Sequence, residues 1–253
     1  TILGVDARTS EWDCTIDKGA VRLGFRTIKH AGESAKEALN TALAERPFES
    51  VADVVYRSGL SRRALEQLAV VGGLDCFGLD RRQALWAVMG LVGRSQAELQ
   101  LPTPEHGGRT LRPMSTDEQI VADFAGMDLS VGPHPIALLR SQLKQQRMLS
   151  AQDLTRVADN TPVTVAGMVV IRQRPMTAKG FVFLTMEDET GFINVVVKPH
   201  LLARFRREVI HTGALQVKGV VESTSGVINV IGHWFAPLEF EKRPVRFKSR
   251  DFR

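Results

Sequence analysis

The 253-residue chain is 43% hydrophobic and carries a formal charge of +5, a composition that supports one large or two small packed cores and suits a polyanionic partner. No apolar run reaches bilayer-spanning length, and the first residues lack the basic, apolar and small-residue order of a secretory signal, so a cytoplasmic protein is expected. Cys14 and Cys76 stand far apart with no histidines at metal-ligand spacing, which excludes a disulfide framework or zinc site and reads as reduced thiols.

The chain opens at Thr1 on a strand-like run, Ile2 to Val5, and is expected to be a piece of a longer protein. A second β-like run, Ala20 to Phe25, follows a polar stretch holding Trp12. From Thr27 to Val92 the pattern is helical, with Ala35, Ala38, Leu39 and Ala42, then Val51, Val54 and Val55, then Leu65, Leu68 and Ala69 at helical spacing. Ser50 and Ser61 are the expected N-caps, and Gly72-Gly73 a stop. Gln100 to Pro113, with Pro102, Pro104, Gly107 and Gly108, predicts a linker. Ser115 and Glu118 form a capping-box pattern for a helix through Phe124. A further helix, Pro135 to Met148, turns Ile136, Leu139 and Leu143 inward and Arg140, Lys144 and Arg147 onto an outer face, read as solvated rather than as a phosphate stripe.

Beyond Pro162 the period becomes two. Five strands are expected: Val163 to Arg172, Gly180 to Glu187, Phe192 to Lys198, Ala214 to Glu222 and Val227 to Trp234, with a helix from about Pro199 to His211 after the third. That order is the signature of an OB-fold barrel, so the predicted class is α+β, a helix-hairpin-helix module followed by a five-stranded OB-fold. Glu187 to Gly191 is read as a hairpin whose acidic tip is solvated.

Two stretches have the chemistry to hold nucleic acid. Ile28 to Ser34, opening a helix, suits a hairpin whose Gly32 brings the backbone near a phosphate and whose helix offers it amides. Lys29, Gly32, Ser34 and Lys36 are the candidate duplex contacts there, although a plain αα-hairpin fits the same residues. Ser61, Arg62 and Arg63 repeat the arrangement at a second hairpin. In the barrel, Arg172, Arg174 and Lys179 cluster with Phe181 and Phe183, the cations for a backbone and the rings for bases. Strand alternation sets Phe181 and Phe183 opposite Val182, Leu184 and Met186, so an aliphatic core leaves the phenylalanines outside. The six histidines have no catalytic or ligand partners at motif spacing, and no Walker or Rossmann glycine loop is present. No catalytic or metal-binding residue is therefore expected.

Several of these stretches together resemble a known family. Ala20 to Arg26, Ile28 to Ala38, Gly59 to Glu66 and Gly73 to Gly78 resemble the helix-hairpin-helix region that follows the fingers of bacterial C-family DNA polymerases. Leu129 to Ile136, Val165 to Pro175 and Phe183 to Gly191 resemble the approach to, and the body of, that family's OB domain, and Ser249 to Arg253 resembles the end of its error-prone, damage-inducible branch. The resemblance implies residues 1–26 as the end of the fingers, 27–100 as the helix-hairpin-helix module, 101–161 as linker and connecting helices, 162–238 as the OB-fold and 239–253 as a basic tail. It implies a parent that performs translesion DNA synthesis with Mg2+ in a palm domain upstream of this chain, leaving no cofactor here. Implied partners are primer-template duplex, single-stranded template, an inactive Y-family-like polymerase and a RecA-like accessory protein. The sliding clamp is reached only indirectly, because Gln152 to Leu154 begins a clamp peptide without its aromatic anchor. A rival expectation is a platform that docks other proteins and touches DNA little.

Overall fold

The computed structural model describes residues 1–92, 111–224 and 226–238, with the backbone of 250–252. Its chain divides into two compact units, Thr1–Gly132 and Pro133–Arg253.

The first unit begins with a small sheet in which β1 (Ile2–Leu3) runs parallel to β3 (Ala20–Arg22) and β2 (Thr15–Asp17) antiparallel to it. Helices α1 (Lys36–Glu45), α2 (Val51–Arg57), α3 (Arg62–Val70), α4 (Arg81–Leu91) and α5 (Thr116–Met127) follow. Their starts are chemically marked. Ser50 accepts from the Asp53 amide at 3.2 Å and Ser61 from the Ala64 amide at 3.2 Å, each satisfying a donor that the first turn leaves without an intrahelical partner. Reciprocal capping boxes, Asp80 with Gln83 and Ser115 with Glu118, open α4 and α5. Between α2 and α3 the chain crosses close over α1 at Gly59, whose φ is +68° and where a Cβ would lie 2.5 Å from that of Ala38. Only glycine fits there.

Phe25, Ile28, Leu39, Phe48 and Leu68 fill one core, each at most 2% exposed, and a side chain of that size contributes roughly 1.5–3 kcal/mol when fully buried. Trp12, Leu23 and Phe25 share that core with the helices, so the expected edge at residue 26 is not a packing boundary. The segment expected to connect the domains is divided, α5 belonging to the first unit and the next two helices to the second. Of the expected linker, residues 100–110 lie outside the described residues.

The second unit comprises α6 (Pro135–Gln145), α7 (Ala151–Leu154), β4 (Pro162–Gln173), β5 (Val182–Asp188), β6 (Gly191–Val197), α8 (Pro199–Arg204), α9 (Arg206–His211), β7 (Ala214–Thr224), β8 (Val227–Pro237) and β9 (Arg250–Phe252). Strands β4, β5, β6, β8 and β7 pair in that order, and β7 returns to β4, closing a five-stranded barrel. This is the OB order. β4 serves two neighbours because its register shifts between Val169 and Ile171, so Pro162–Met168 pairs with β7 and Met168–Gln173 with β5. Alternation puts Val182, Leu184 and Met186 of β5 and Ile193, Val195 and Val197 of β6 inside, none more than 1% exposed.

Three details differ from the sequence reading. α6 stops at Gln145 because Arg147 adopts a left-handed φ of +58° and the Met148 amide turns back to the Leu143 carbonyl at 2.9 Å. The helix expected from Pro199 to His211 is two, interrupted at Phe205, whose ring packs edge-on against Phe235 at 5.6 Å. Arg250–Phe252 adds a short strand parallel to β4 at Ile171–Gln173, while residues 239–249 and 253 of the expected tail lie outside the described residues.

Candidate nucleic-acid interface

The first hairpin turns at His30, not at Gly32. His30 takes a φ of +68°, whereas Gly32 has an ordinary φ of −68° and caps the short 3-10 turn Glu33–Ala35 that leads into α1. Gly32 and Ser34 are exposed there, and Lys36 is half-buried with its ammonium 3.1 Å from Glu33. Ser61 joins the two hairpins: besides capping α3, its hydroxyl donates to the His30 carbonyl at 3.3 Å. Arg62 pairs with Glu66 at 2.8 Å, and Arg63 is exposed with no ion pair among the described residues. Gly32, Ser34, Lys36 and Ser61 to Arg63 thus come together at the starts of α1 and α3.

Lys29 does not join them. Its ammonium donates to the carbonyls of Phe124 at 3.2 Å and Ala125 at 2.9 Å and to the Asp128 carboxylate at 2.7 Å, which corrects its expected role to that of closing the end of α5. The same chemistry recurs. Arg57 donates to the Ala42 carbonyl at 2.6 Å near the end of α1, and Arg81 to the Val70 carbonyl at 3.2 Å at the end of α3. A helix leaves its last carbonyls without partners and a partial negative charge at that end, and a cation folded back from elsewhere meets both needs. Sequence spacing gives no sign of this, because cation and carbonyl are far apart in the chain.

In the barrel, Arg172 is corrected for the same reason. It is 7% exposed, and its guanidinium donates to the Val209 carbonyl at 2.8 Å and to that of Thr212, closing α9 from beneath rather than facing solvent. Arg174 and Lys179 are exposed on the β4–β5 connection. Phe183 is 38% and Phe192 66% exposed on the outer face of β5 and β6, while Phe181 is half-buried. Thr185 and Asn194, cross-strand neighbours, separate the two rings. Phe183 pairs with Gln173 beside the basic β4–β5 connection, whereas Phe192 lies opposite Glu187, so bases can stack on this face with phosphates neutralised at its Phe183 end. Lys218 and Trp234, paired across β7 and β8 with the ammonium 4.9 Å from the ring centroid, form a cation–π pair that only the strand register could reveal.

The acidic hairpin is likewise corrected. Asp188 is 2% exposed and accepts from the Ala151 amide at 2.8 Å, the Thr190 amide and hydroxyl at 2.7 Å and the Gly191 amide at 3.1 Å. Arg140, expected on an outer helix face, lies inward with its guanidinium 3.0 Å from Asp188 and bonded to Glu189. Burial pushes the Glu189 carboxyl up, yet the Arg140 hydrogen bond and charge, a backbone hydrogen bond and the charge of His134 together hold the group below its ordinary range. These carboxylates are occupied and do not suit a divalent cation, and no group of three metal-ligating side chains occurs among the described residues. No chemical step through Mg2+ is assigned to this chain.

Comparison with known proteins places this geometry. Residues 1–84 match the family model described as helix-hairpin-helix motif, and residues 163–233 that described as OB-fold nucleic acid binding domain. A protein of Pseudomonas paraeruginosa named error-prone DNA polymerase is 39% identical over 98% of this chain and 25% of its own length. Proteins of the same name from Pseudomonas syringae pv. tomato, 38% identical over 98% of this chain and 25% of theirs, and Dechloromonas aromatica, 37% identical over 99% and 24%, are similar to it as well. The chain matches the error-prone DNA polymerases. It spans about a quarter of the length of these curated relatives. The helix-hairpin-helix and OB-fold assignments of the sequence reading both stand.

Proposed function

We propose that this chain is the DNA-holding C-terminal region of an error-prone, translesion DNA polymerase. The loop from Gly32 to Lys36, with Ser61, Arg62 and Arg63, holds the backbone of duplex product, and the barrel face receives single-stranded template. Nucleotidyl transfer belongs to other parts of the parent. The observation that carries this reading is the exposure of Phe183 and Phe192 on the outer face of β5 and β6, whose inward side chains are aliphatic or Met, with Arg174 and Lys179 exposed on the connection that leads to Phe183. Apolar rings that size are usually buried; a stacking surface accounts for leaving them out. By the family resemblance, the parent works in the cytoplasm with an inactive Y-family-like polymerase and a RecA-like accessory protein, and meets the sliding clamp through them.

Fluorescence anisotropy on labelled single-stranded, duplex and primer-template DNA across a salt series tests this. Micromolar or tighter binding with a steep salt slope is expected, since each neutralised phosphate releases counterions. Phe183→Ala or Phe192→Ala should weaken single-strand binding by about 1–3 kcal/mol and leave duplex binding unchanged. The rival reading, a protein-docking platform, draws on Trp86 and Met89, 63% and 49% exposed and three residues apart on α4. Absence of DNA binding at low salt would favour it.

A further inference from the structure

α8 and α9 carry positive charge that their surroundings do not balance. Arg204, Arg206 and Arg207 flank the break at Phe205 and Lys198 caps α8; all four are exposed with no ion pair among the described residues. Glu208 is the only acidic side chain in the two helices. Leu202 and Val209 are buried in the barrel core, and Arg172 closes the end of α9, so the arginines stand on a firmly held element rather than a loose loop. Like charges this close repel one another, and a guanidinium fork matches the oxygens of a phosphodiester.

This surface adjoins the β4–β5 connection. A Cβ on Gly180 would lie 3.6 Å from Pro199, so the end of that connection abuts the first turn of α8, bringing exposed Lys179 close to Lys198 in the chain's path. The connection in turn leads into β5 and Phe183. We propose that α8 and α9 form a second phosphate-backbone contact of the barrel, which takes a nucleic-acid strand after it leaves the aromatic face and passes the β4–β5 connection. The inference rests on the single-strand reading above and adds a path and a length to it. An acidic protein would feel the same charge; continuity with the aromatic face favours the strand.

The test compares a strand of about 6 nucleotides with one of about 30, because an OB barrel occupies about 4–16. The triple variant R204A/R206A/R207A should bind the long strand at least about tenfold more weakly at low salt, with a salt slope smaller by about 2, as expected for three lost phosphate contacts on a single strand. The short strand should bind as before. The triple lysine variant should restore the slope, which separates lost charge from lost folding. Phe183→Ala should weaken both lengths without changing the slope. A wild-type slope in the triple alanine variant overturns the second contact, leaves the aromatic-face reading intact and points to an acidic protein. Equal loss on both lengths overturns it too, because the arginines would then belong to the face itself. If the unmodified chain binds neither strand at low salt, the single-strand reading fails and this inference with it.

Discussion

The helical unit and the barrel treat their cations differently. In the first, Lys29, Arg57 and Arg81 are folded onto the ends of α5, α1 and α3, and Arg81 also meets Asp123 at 2.6 Å. In the second, among the described residues, Arg172 serves a helix end and Arg140 an interior carboxylate, while Arg174, Lys179, Lys198 and the three arginines of α8 and α9 stay outside. Helices expose carbonyls at their ends, and a closed barrel satisfies its own through neighbouring strands. Cations within reach of a helix end are therefore drawn into the structure, and those away from one are left to a ligand.

The largest expected effect falls on the exception in the barrel. Asp188→Ala leaves Arg140 without one buried partner and three backbone amides without an acceptor, so it should cost about 3–5 kcal/mol in urea unfolding of the barrel. A loss under about 1 kcal/mol would show that the acidic hairpin is decoration after all. An intermediate effect separates Lys29 from its neighbours. Lys29→Met should lower the stability of the helical unit by about 1 kcal/mol and leave duplex affinity unchanged, whereas Arg62→Ala with Arg63→Ala should do the reverse. A drop in duplex affinity for Lys29→Met at equal folding would return that residue to the interface.

The smallest effect concerns pH. His134 accepts from the Ile136 amide at 3.1 Å at the start of α6, and burial holds its imidazole below the ordinary range, against the opposing pull of Glu187, Glu189 and Asp188. The unfolded chain takes up that proton at about pH 6.5 and the folded barrel only at lower pH, so stability is held above about pH 6.5 and falls as pH drops through the folded value. His134→Asn keeps an acceptor at the cap and removes the titration. Melting temperature measured between about pH 7 and 5 should then decline less steeply than in the unmodified chain. An unaltered decline would assign the pH response to other groups.

Much of the architecture was legible in the residue pattern. The Ser50, Ser61 and Ser115 caps, the alternation along β5 and β6 and the helix after the third barrel strand are local signals, each set within a few residues of itself. They suffice for the order of parts and for the outward placement of Phe183. Lys29, Arg140, Arg172 and Asp188 were not legible, because each side chain's role depends on partners brought to it by packing, Lys29 on Asp128 and Arg140 on Asp188, from well outside any sequence window. The turn at His30 belongs to the same class: its left-handed φ is held by a hairpin that Ser61 ties down from the next one. Local pattern thus decided which elements form and which faces they bury, since those depend on near neighbours along the chain. Tertiary structure decided which charges remain for a ligand, since an arginine is removed from the surface only when a distant carbonyl or carboxylate arrives beside it.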